Sequence, residues 1–216
     1  MARFFVGITG ASGHVYAEAL IRSLVASGMQ VDLCVTSAGA KVLRHELGIV
    51  AEADCSLSST TLLHWLGEDV AQAIRVFAPE AVEAPAASGT SLTGGVILCP
   101  CSMGTMARVA AGFSSNLVER AADVALKEGR RLLIVPREAP YSEIHLENML
   151  RLARMGAVIL PASPGFYHGP QNIADLVDHL VGKMLDRMEV EHSLGKRWAG
   201  LAPVAADEGV VKGVDS

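Results

Sequence analysis

The chain has 216 residues, of which 50% are hydrophobic and 19% charged, and its formal net charge is −5. This apolar content suits one folded domain and excludes a disordered chain, and the negative charge argues against nucleic acid as a partner. No apolar run reaches the roughly 18 residues of a membrane span, and no secretory signal is recognisable at the start, so we expect neither.

Short apolar strands alternate with helical periodicities along the chain. In the first half we predict strands at 3–8, 31–35 and, weakly, 74–77, and helices at 16–26 and 38–47. Residues 78–95, rich in Ala, Pro, Ser and Gly, predict a long loop. In the second half we predict strands at 96–99, 131–135 and 157–160, and helices at 105–111, 116–127, 142–155 and 172–188. The alternation indicates an α/β fold, a parallel sheet with helices on both faces.

Five loops follow predicted strands directly and carry glycines, hydroxyls or charged side chains. In a parallel sheet such loops lie at the carboxyl edge, where ligands bind. They are residues 10–13, 36–37, 100–105, 136–140 and 161–167. Their position predicts one shared site.

The first and third of these loops are candidate phosphate cradles. Gly7, Gly10 and Gly13 are spaced by threes, which is not the dinucleotide fingerprint, so a plain tight turn is an equally good interpretation. Glycine nevertheless lets a backbone approach a ligand closely, and Ser12 adds a hydroxyl before a helix N-terminus. The segment Ser102–Thr105 also leads from a strand into a helix, with two hydroxyls and a glycine.

Charged side chains add candidate anion ligands. Arg120 and Lys127 are seven positions apart on a predicted helix and share a face, although a salt-bridged surface is the usual meaning of such a pattern. Arg137 and Glu138 end a strand, where a guanidinium can bind phosphate and a carboxylate can move a proton. Tyr167 lies on a rigid loop and can cover an apolar group while its hydroxyl bonds a phosphate.

The four cysteines of the chain do not form a disulfide framework for its size. This favours a reducing, cytoplasmic location. Cys99 and Cys101 alone cannot fill a four-ligand site, and His45-Glu46 lacks the second histidine of a zinc-binding helix, so no metal is predicted.

Six segments, in this order along the chain, resemble the flavin prenyltransferase (UbiX) family. They are residues 6–13, 99–105, 116–128, 137–140, 144–150 and 164–168. The resemblance runs from about Arg3 to Trp198. It implies a single Rossmann-like or flavodoxin-like domain at 1–200, and it leaves residues 201–216 as a loosely ordered tail.

The resemblance also implies a function. The enzyme would join the dimethylallyl group of dimethylallyl phosphate to N5 and C6 of reduced FMN, without a metal. The prenylated FMN would serve UbiD-type decarboxylases, as in ubiquinone biosynthesis. The protein would be a homo-oligomer, dodecameric in the family, with sites at subunit interfaces.

Individual residues carry over from the family by position. The FMN-binding positions are Gly10, Ala11, Ser12, Thr36, Ser102, Met103, Gly104, Thr105 and Arg137. The positions that bind the prenyl donor are Ala87, Ser88, Gly89, Arg120, Lys127, Arg137, Glu138, Tyr167, Lys183 and Trp198. The positions with catalytic roles are Ser12, Glu46, Lys127, Glu138 and Tyr167.

Two positions depart from the family pattern, and two other functions stay open. Thr36 stands where serine is common, and Lys183 where many members carry arginine, which costs the two-pronged contact with phosphate. A flavin-dependent decarboxylase of the cysteine-decarboxylase type shares the fold, but residues 99–105 lack its Pro-Ala-Ser-Ala-Asn-Thr signature. A non-catalytic FMN carrier would need one phosphate site, whereas this chain offers cations for two.

Overall fold

The structure is a computed structural model and describes residues 2–90 and 94–195. Its strands are β1 (Arg3–Ile8), β2 (Gln30–Val35), β3 (Ile74–Phe77), β4 (Gly95–Cys101), β5 (Leu132–Pro136) and β6 (Val158–Ile159). They form a six-stranded sheet in the order β3-β2-β1-β4-β5-β6, and every neighbouring pair is parallel. The predicted α/β architecture is therefore confirmed.

Helices connect these strands. They are α1 (His14–Ala26), α2 (Ser37–Leu47), α3 (Ser59–Leu66), α4 (Glu68–Ala71), α5 (Met103–Ala110), α6 (Leu117–Lys127), α7 (Glu143–Arg154) and α8 (Ile173–Arg187). A single 3-10 turn at Pro85–Ala87 interrupts the long loop. Among the described residues, no helix is both long and apolar enough to cross a bilayer.

The core has two layers, one on each face of the sheet. Helices α1, α2, α3 and α8 pack on one face, where Leu20 and Leu180 belong to the same buried cluster as Ile97 of β4. Helices α5, α6 and α7 cover the other face, where Val118 clusters with Leu98. Successive residues of a strand point to opposite faces, so the apolar runs of β1 and β4 supply both layers.

The direction in which strands are added reverses between β1 and β4. From β1 the chain adds β2 and β3 on one side, and then returns to add β4, β5 and β6 on the other. The connections that leave β1 and β4 therefore diverge, and a crevice opens between their carboxyl ends. This crevice is where the five polar loops were expected to meet.

The structure differs from the sequence-based expectation mainly in residues 51–73. Helices α3 and α4 were not predicted there, because α3 has only eight residues and α4 only four. Such short helices show little periodicity. The signal that could have revealed α3 is Ser58, whose side chain accepts a hydrogen bond from the Thr61 amide at the helix start. Strand β6, expected at 157–160, is shorter, at two residues.

Candidate active site

The turn after β1 lies against the start of α2, and a glycine makes this possible. A Cβ at Gly10 would lie 2.7 Å from the Cβ of Ala38, closer than real contacts allow. Gly13 has φ 106°, a backbone conformation that favours glycine. These two glycines let the turn present its backbone at the crevice, as predicted for a ligand cradle.

Thr9 joins the β1 turn to the β4 loop across the crevice. Its hydroxyl donates to the carbonyl oxygen of Pro100 at 2.9 Å and accepts from the Ser102 amide at 2.7 Å. Ser102 in turn caps α5, since its side chain accepts from the Thr105 amide at 3.3 Å. The predicted cradles at 10–13 and 102–105 are therefore parts of one hydrogen-bonded floor. Sequence analysis did not select Thr9.

Three helices begin at this floor. They are α1, α2 and α5, which follow β1, β2 and β4 respectively. Thr36 caps α2, and its hydroxyl accepts from the Gly39 amide at 3.1 Å. Amide groups at helix N-termini bind anions, phosphates in particular. The predicted FMN-binding residues of the first three loops thus share one surface that suits a phosphate and the groups beside it.

Glu46 reaches from α2 to the start of α1. Its carboxylate accepts from the Gly13 amide at 3.0 Å and the His14 amide at 2.9 Å. Burial raises the pKa of Glu46, but hydrogen bonds from Ser12, His14 and Gly13 outweigh it, so the pKa lies below its ordinary value. Glu46 is therefore an anion at neutral pH, held at the turn that contains Ser12.

Arg137 extends over the same turn from the end of β5. Its Nε donates to the carbonyl oxygen of Ser12 at 3.3 Å, which brings the guanidinium to the mouth of the crevice. Glu138 is exposed beside it and accepts from the Ala139 amide at 3.1 Å. Both residues lie at the carboxyl edge, as expected.

Tyr167 and Lys183 belong to a histidine-containing cluster next to β6. The ring of Tyr167 meets His179 edge-on at 5.3 Å, and His168 stacks on His179 at 4.6 Å. Burial lowers the pKa of His179, and the neighbouring His168 and Lys183 lower it further. Lys183 also lines an open groove along residues 158–161. The two predicted phosphate ligands are thus joined through His179, which sequence analysis did not select.

Glu119 is an acidic residue that sequence analysis did not select. Its side chain is fully buried, forms an ion pair with Arg108 and accepts from the Ser115 amide at 2.9 Å. Arg108 also donates to the Thr105 hydroxyl at 3.3 Å. This network supports the second cradle from beneath. A glutamate within a helix gives no sign of such burial in sequence, because most helical glutamates are exposed.

The remaining predicted donor ligands do not join this site within one chain. Helix α6 begins at the carboxyl edge, where the Leu117 amide donates to the Pro79 carbonyl at 2.7 Å. It ends near Arg131, whose carbonyl accepts from Val96 at the start of β4. Its 11 residues span about 16 Å, so Lys127 lies near the opposite edge of the sheet. Within one chain Lys127 and Arg137 therefore lie apart, and the cluster predicted for them requires the subunit interface that the family resemblance implies.

Residues 87–89 lie beside the end of α6, next to Lys127. Lys127 pairs with Glu128 at 2.9 Å, and a Cβ at Gly89 would lie 2.4 Å from the Glu128 carboxylate. Arg130 donates to the Gly89 carbonyl. Arg120 is exposed on the same helix and pairs with Asp123 at 3.7 Å. The structure thus separates the predicted site residues into three groups. Tyr167 and Lys183 lie in the cluster around His179. The α6 group consists of Ala87, Ser88, Gly89, Arg120 and Lys127, and the crevice group consists of Gly10, Ala11, Ser12, Thr36, Glu46, Ser102, Met103, Gly104, Thr105, Arg137 and Glu138. Trp198 lies outside the described residues.

The cysteines support packing. Cys34, Cys99 and Cys101 are buried free thiols, and burial raises the pKa of Cys34 and Cys101 to about 12. Thiols with such pKa values are poor nucleophiles. Within residues 2–90 and 94–195, no group of three or more His, Cys, Asp or Glu side chains could hold a metal ion.

We expect iodoacetamide to label native protein at Cys55 alone, because Cys55 is the half-buried member of the four. Peptide mass spectrometry after a short pulse at pH 8 would measure this. All four should react in denaturant, which serves as the control. Rapid native labelling of Cys99 or Cys101 would contradict a packing role.

Comparisons with known proteins agree with this geometry. The Flavoprotein family model matches residues 1–197. A flavin prenyltransferase UbiX from Pseudomonas aeruginosa is 44% identical over 206 residues, which cover 95% of this chain and 98% of the relative. A UbiX crystal structure in complex with FMN and dimethylallyl pyrophosphate has a TM-score of 0.80 at 34% identity, covering 93% of this chain and 99% of that one. A dodecameric, FMN-dependent UbiX-like decarboxylase from Escherichia coli O157:H7 has a TM-score of 0.79 at 37% identity, covering 92% and 100% respectively.

Proposed function

The chain belongs to the Flavoprotein family and is a flavin prenyltransferase of the UbiX type, and on that premise we propose that it joins a dimethylallyl group to N5 and C6 of reduced FMN. The observation that carries the proposal is the crevice between β1 and β4. There, the starts of three helices lie beside Arg137 and a carboxylate that is anionic at neutral pH. The related UbiX structure holds FMN and dimethylallyl pyrophosphate together.

In this proposal the floor of the crevice holds FMN. Gly10, Ala11 and Ser12 follow β1, and Ser102 to Thr105 surround the start of α5, so their backbone amides and hydroxyls can contact the phosphate and the ring. Thr36 keeps the hydroxyl at the start of α2. Arg137, anchored on the Ser12 carbonyl, lies between this surface and the donor.

Two new bonds join the prenyl group to the flavin, and its C–O bond to phosphate breaks. Flavin N5 attacks the allylic carbon as phosphate leaves, and N5 gives up its proton. The alkene of the prenyl group then takes up a proton, the tertiary carbon that becomes electrophilic bonds to C6, and C6 loses its proton. Arg137, Tyr167 and Lys183 would stabilise charge on the leaving phosphate. Ser12, Glu46 and Glu138 are the groups placed to move protons.

The test is to incubate the purified protein anaerobically with reduced FMN and, separately, dimethylallyl phosphate or dimethylallyl pyrophosphate. The extracted flavin is then analysed by mass spectrometry. We expect the mass of the flavin to increase by one five-carbon prenyl unit. Comparison of the two donors shows whether the site accepts the monophosphate or the pyrophosphate. Retained but unmodified FMN with both donors would overturn the proposal and favour a carrier or a decarboxylase.

We further propose that a second copy of the chain completes each site. The α6 group offers Lys127 and Arg120 on one exposed helix face, and Lys127 lies about a sheet height from Arg137. Cations that cannot reach the crevice of their own chain can reach that of a neighbour packed head to tail. Such contacts close into rings, as a dodecamer requires, and the UbiX-like relative is dodecameric.

Helix α7 offers a face for such packing. Of its 12 residues only Leu152 is buried, whereas Ile144, Leu146 and Leu150 are 66%, 54% and 52% exposed. Leu146 and Leu150 are four positions apart and share one face of the helix, which indicates a surface that another molecule covers, whereas Ile144 lies on the opposite side. The helix begins beside Arg137–Pro140, so a copy packed against it would also lie next to the crevice.

We expect Leu150→Glu to shift the protein from its assembled form to a smaller species, because a charge at a closely packed apolar contact is costly to bury. Size-exclusion chromatography with light scattering would measure this. Leu63→Glu is the matched control, since Leu63 of α3 is 46% exposed but far along the chain from this face. An unchanged mass for Leu150→Glu would exclude α7 from the interface.

Two further expectations rest on the family. We propose that the prenylated FMN passes to a UbiD-type decarboxylase, as in ubiquinone biosynthesis. We also propose a cytoplasmic location, which the free thiols of Cys34, Cys55, Cys99 and Cys101 support, since reduced cysteines persist in reducing compartments.

A further inference from the structure

His14 lies directly behind Glu46 and has no role in the function described so far. It is the first residue of α1, and its side chain is fully buried. Nε2 lies 3.2 Å from the carbonyl oxygen of Thr9, and Nδ1 lies 3.7 Å from the Glu46 carboxylate. Nδ1 makes no hydrogen bond, which is unusual for a buried ring nitrogen.

The contact with Thr9 favours the tautomer with a proton on Nε2, because a carbonyl oxygen can only accept a hydrogen bond. Neutral His14 therefore presents the lone pair of Nδ1 towards the carboxylate side. A lone pair there is ready to receive a proton, and once Nδ1 is protonated it can pair with the Glu46 anion.

The polar groups around the ring are hydrogen-bond acceptors. Thr9 acts through its carbonyl from the β1 turn, and α2 contributes the Glu46 charge and the backbone of Val42. Burial opposes their effect and is the largest influence, so the pKa of His14 lies below 6.5. His14 is thus neutral at pH 7. Its protonated form would be stabilised by the Thr9 carbonyl and the Glu46 carboxylate.

We propose that His14 is a proton reservoir for Glu46 during prenyl transfer, an inference that rests on the proposed function. Glu46 takes the proton that leaves flavin C6 and becomes a neutral carboxylic acid. It passes this proton to Nδ1, 3.7 Å away, when a small movement shortens the gap, and becomes a carboxylate again. No electrons are exchanged, and the imidazolium returns the proton through the partly exposed Glu46 when the product leaves.

The test compares kcat of the wild type and His14→Gln between pH 5.5 and 8, with both substrates saturating. Glutamine can still donate to the Thr9 carbonyl but cannot take up a proton. The ionisations of the substrates affect both proteins equally, so the ratio of the two kcat values isolates His14. We expect a ratio of about 10 at pH 7.5 that falls towards one as the pH is lowered towards the pKa of His14, because a protonated ring cannot take up a second proton.

Further measurements distinguish a loss of proton transfer from a loss of folding or of FMN binding. The dissociation constant of FMN and the Tm of His14→Gln should match the wild type. If glutamine disturbs the fold, His14→Ala with added imidazole replaces it, and recovery of turnover by imidazole is expected. A pH-independent ratio near one, or no recovery, would overturn the proposal. A wild type that makes no prenylated flavin would instead overturn the proposed function itself.

Discussion

Replacing Glu46 by glutamine is expected to lower turnover by about 10²–10⁴-fold while FMN still binds, because the change removes a proton acceptor and keeps the shape. The glutamine carbonyl can still accept from the amides of Gly13 and His14, so the start of α1 should hold its place. If the proton from C6 has no acceptor, the reaction should stop after the first bond and accumulate an N5 adduct. Stopped-flow spectra and mass spectrometry of the quenched flavin would detect that species.

Glu68→Gln is the matched control for this experiment. Glu68 is exposed on α4 and has no contact with the crevice group, so its loss of charge should leave turnover unchanged. Normal product formation by Glu46→Gln would remove Glu46 from the mechanism and, with it, the relay through His14. Loss of FMN binding instead would assign Glu46 a structural role at the turn.

Mixing two inactive variants should restore activity if each site is built from two copies. Lys127→Ala removes a cation of the α6 group, and Glu46→Gln removes a base of the crevice group. Each variant alone should be at least about 10²-fold less active, since each lacks a charge required in every site. In mixed assemblies, some sites combine the intact crevice of one copy with the intact α6 group of another.

The expected recovery can be estimated. Random mixing at equal amounts gives both intact halves in about one site in four, so turnover near a quarter of the wild type is expected. The two proteins should be unfolded and refolded together, and the separately refolded variants combined afterwards serve as the control. Absence of recovery in verified mixed assemblies would mean that Lys127 works within its own chain or not at all.

Much of the fold was predictable because it rests on local patterns. The buried strands β1, β2, β4 and β5 are short apolar runs ended by turn residues. Each of their predicted ends lies within two residues of the end in the structure. Helices α3 and α4 were missed because they are too short to show periodicity. Propensity cannot report a helix whose stability comes from contacts elsewhere in the core.

The site was only partly predictable, for a different reason. Loops at the carboxyl ends of parallel strands converge by topology, so Ser12, Ser102 and Arg137 could be grouped before any coordinates. Sequence spacing does not say how far along a helix a residue lies from the carboxyl edge of the sheet, so the separation of Lys127 from Arg137 within one chain could not be predicted. His14 and Glu119 carry no signal of burial, since only tertiary packing decides it.

The exposure of α7 has a consequence for how the protein is made. Under the proposed assembly, a newly synthesised chain holds Leu146 and Leu150 in water until another copy covers them. Until then, this surface can associate non-specifically with other unassembled chains, which leads to aggregation. The yield of usable protein in a cell should therefore depend on the balance between synthesis and assembly, and slow expression at low temperature should give more of it than rapid overproduction.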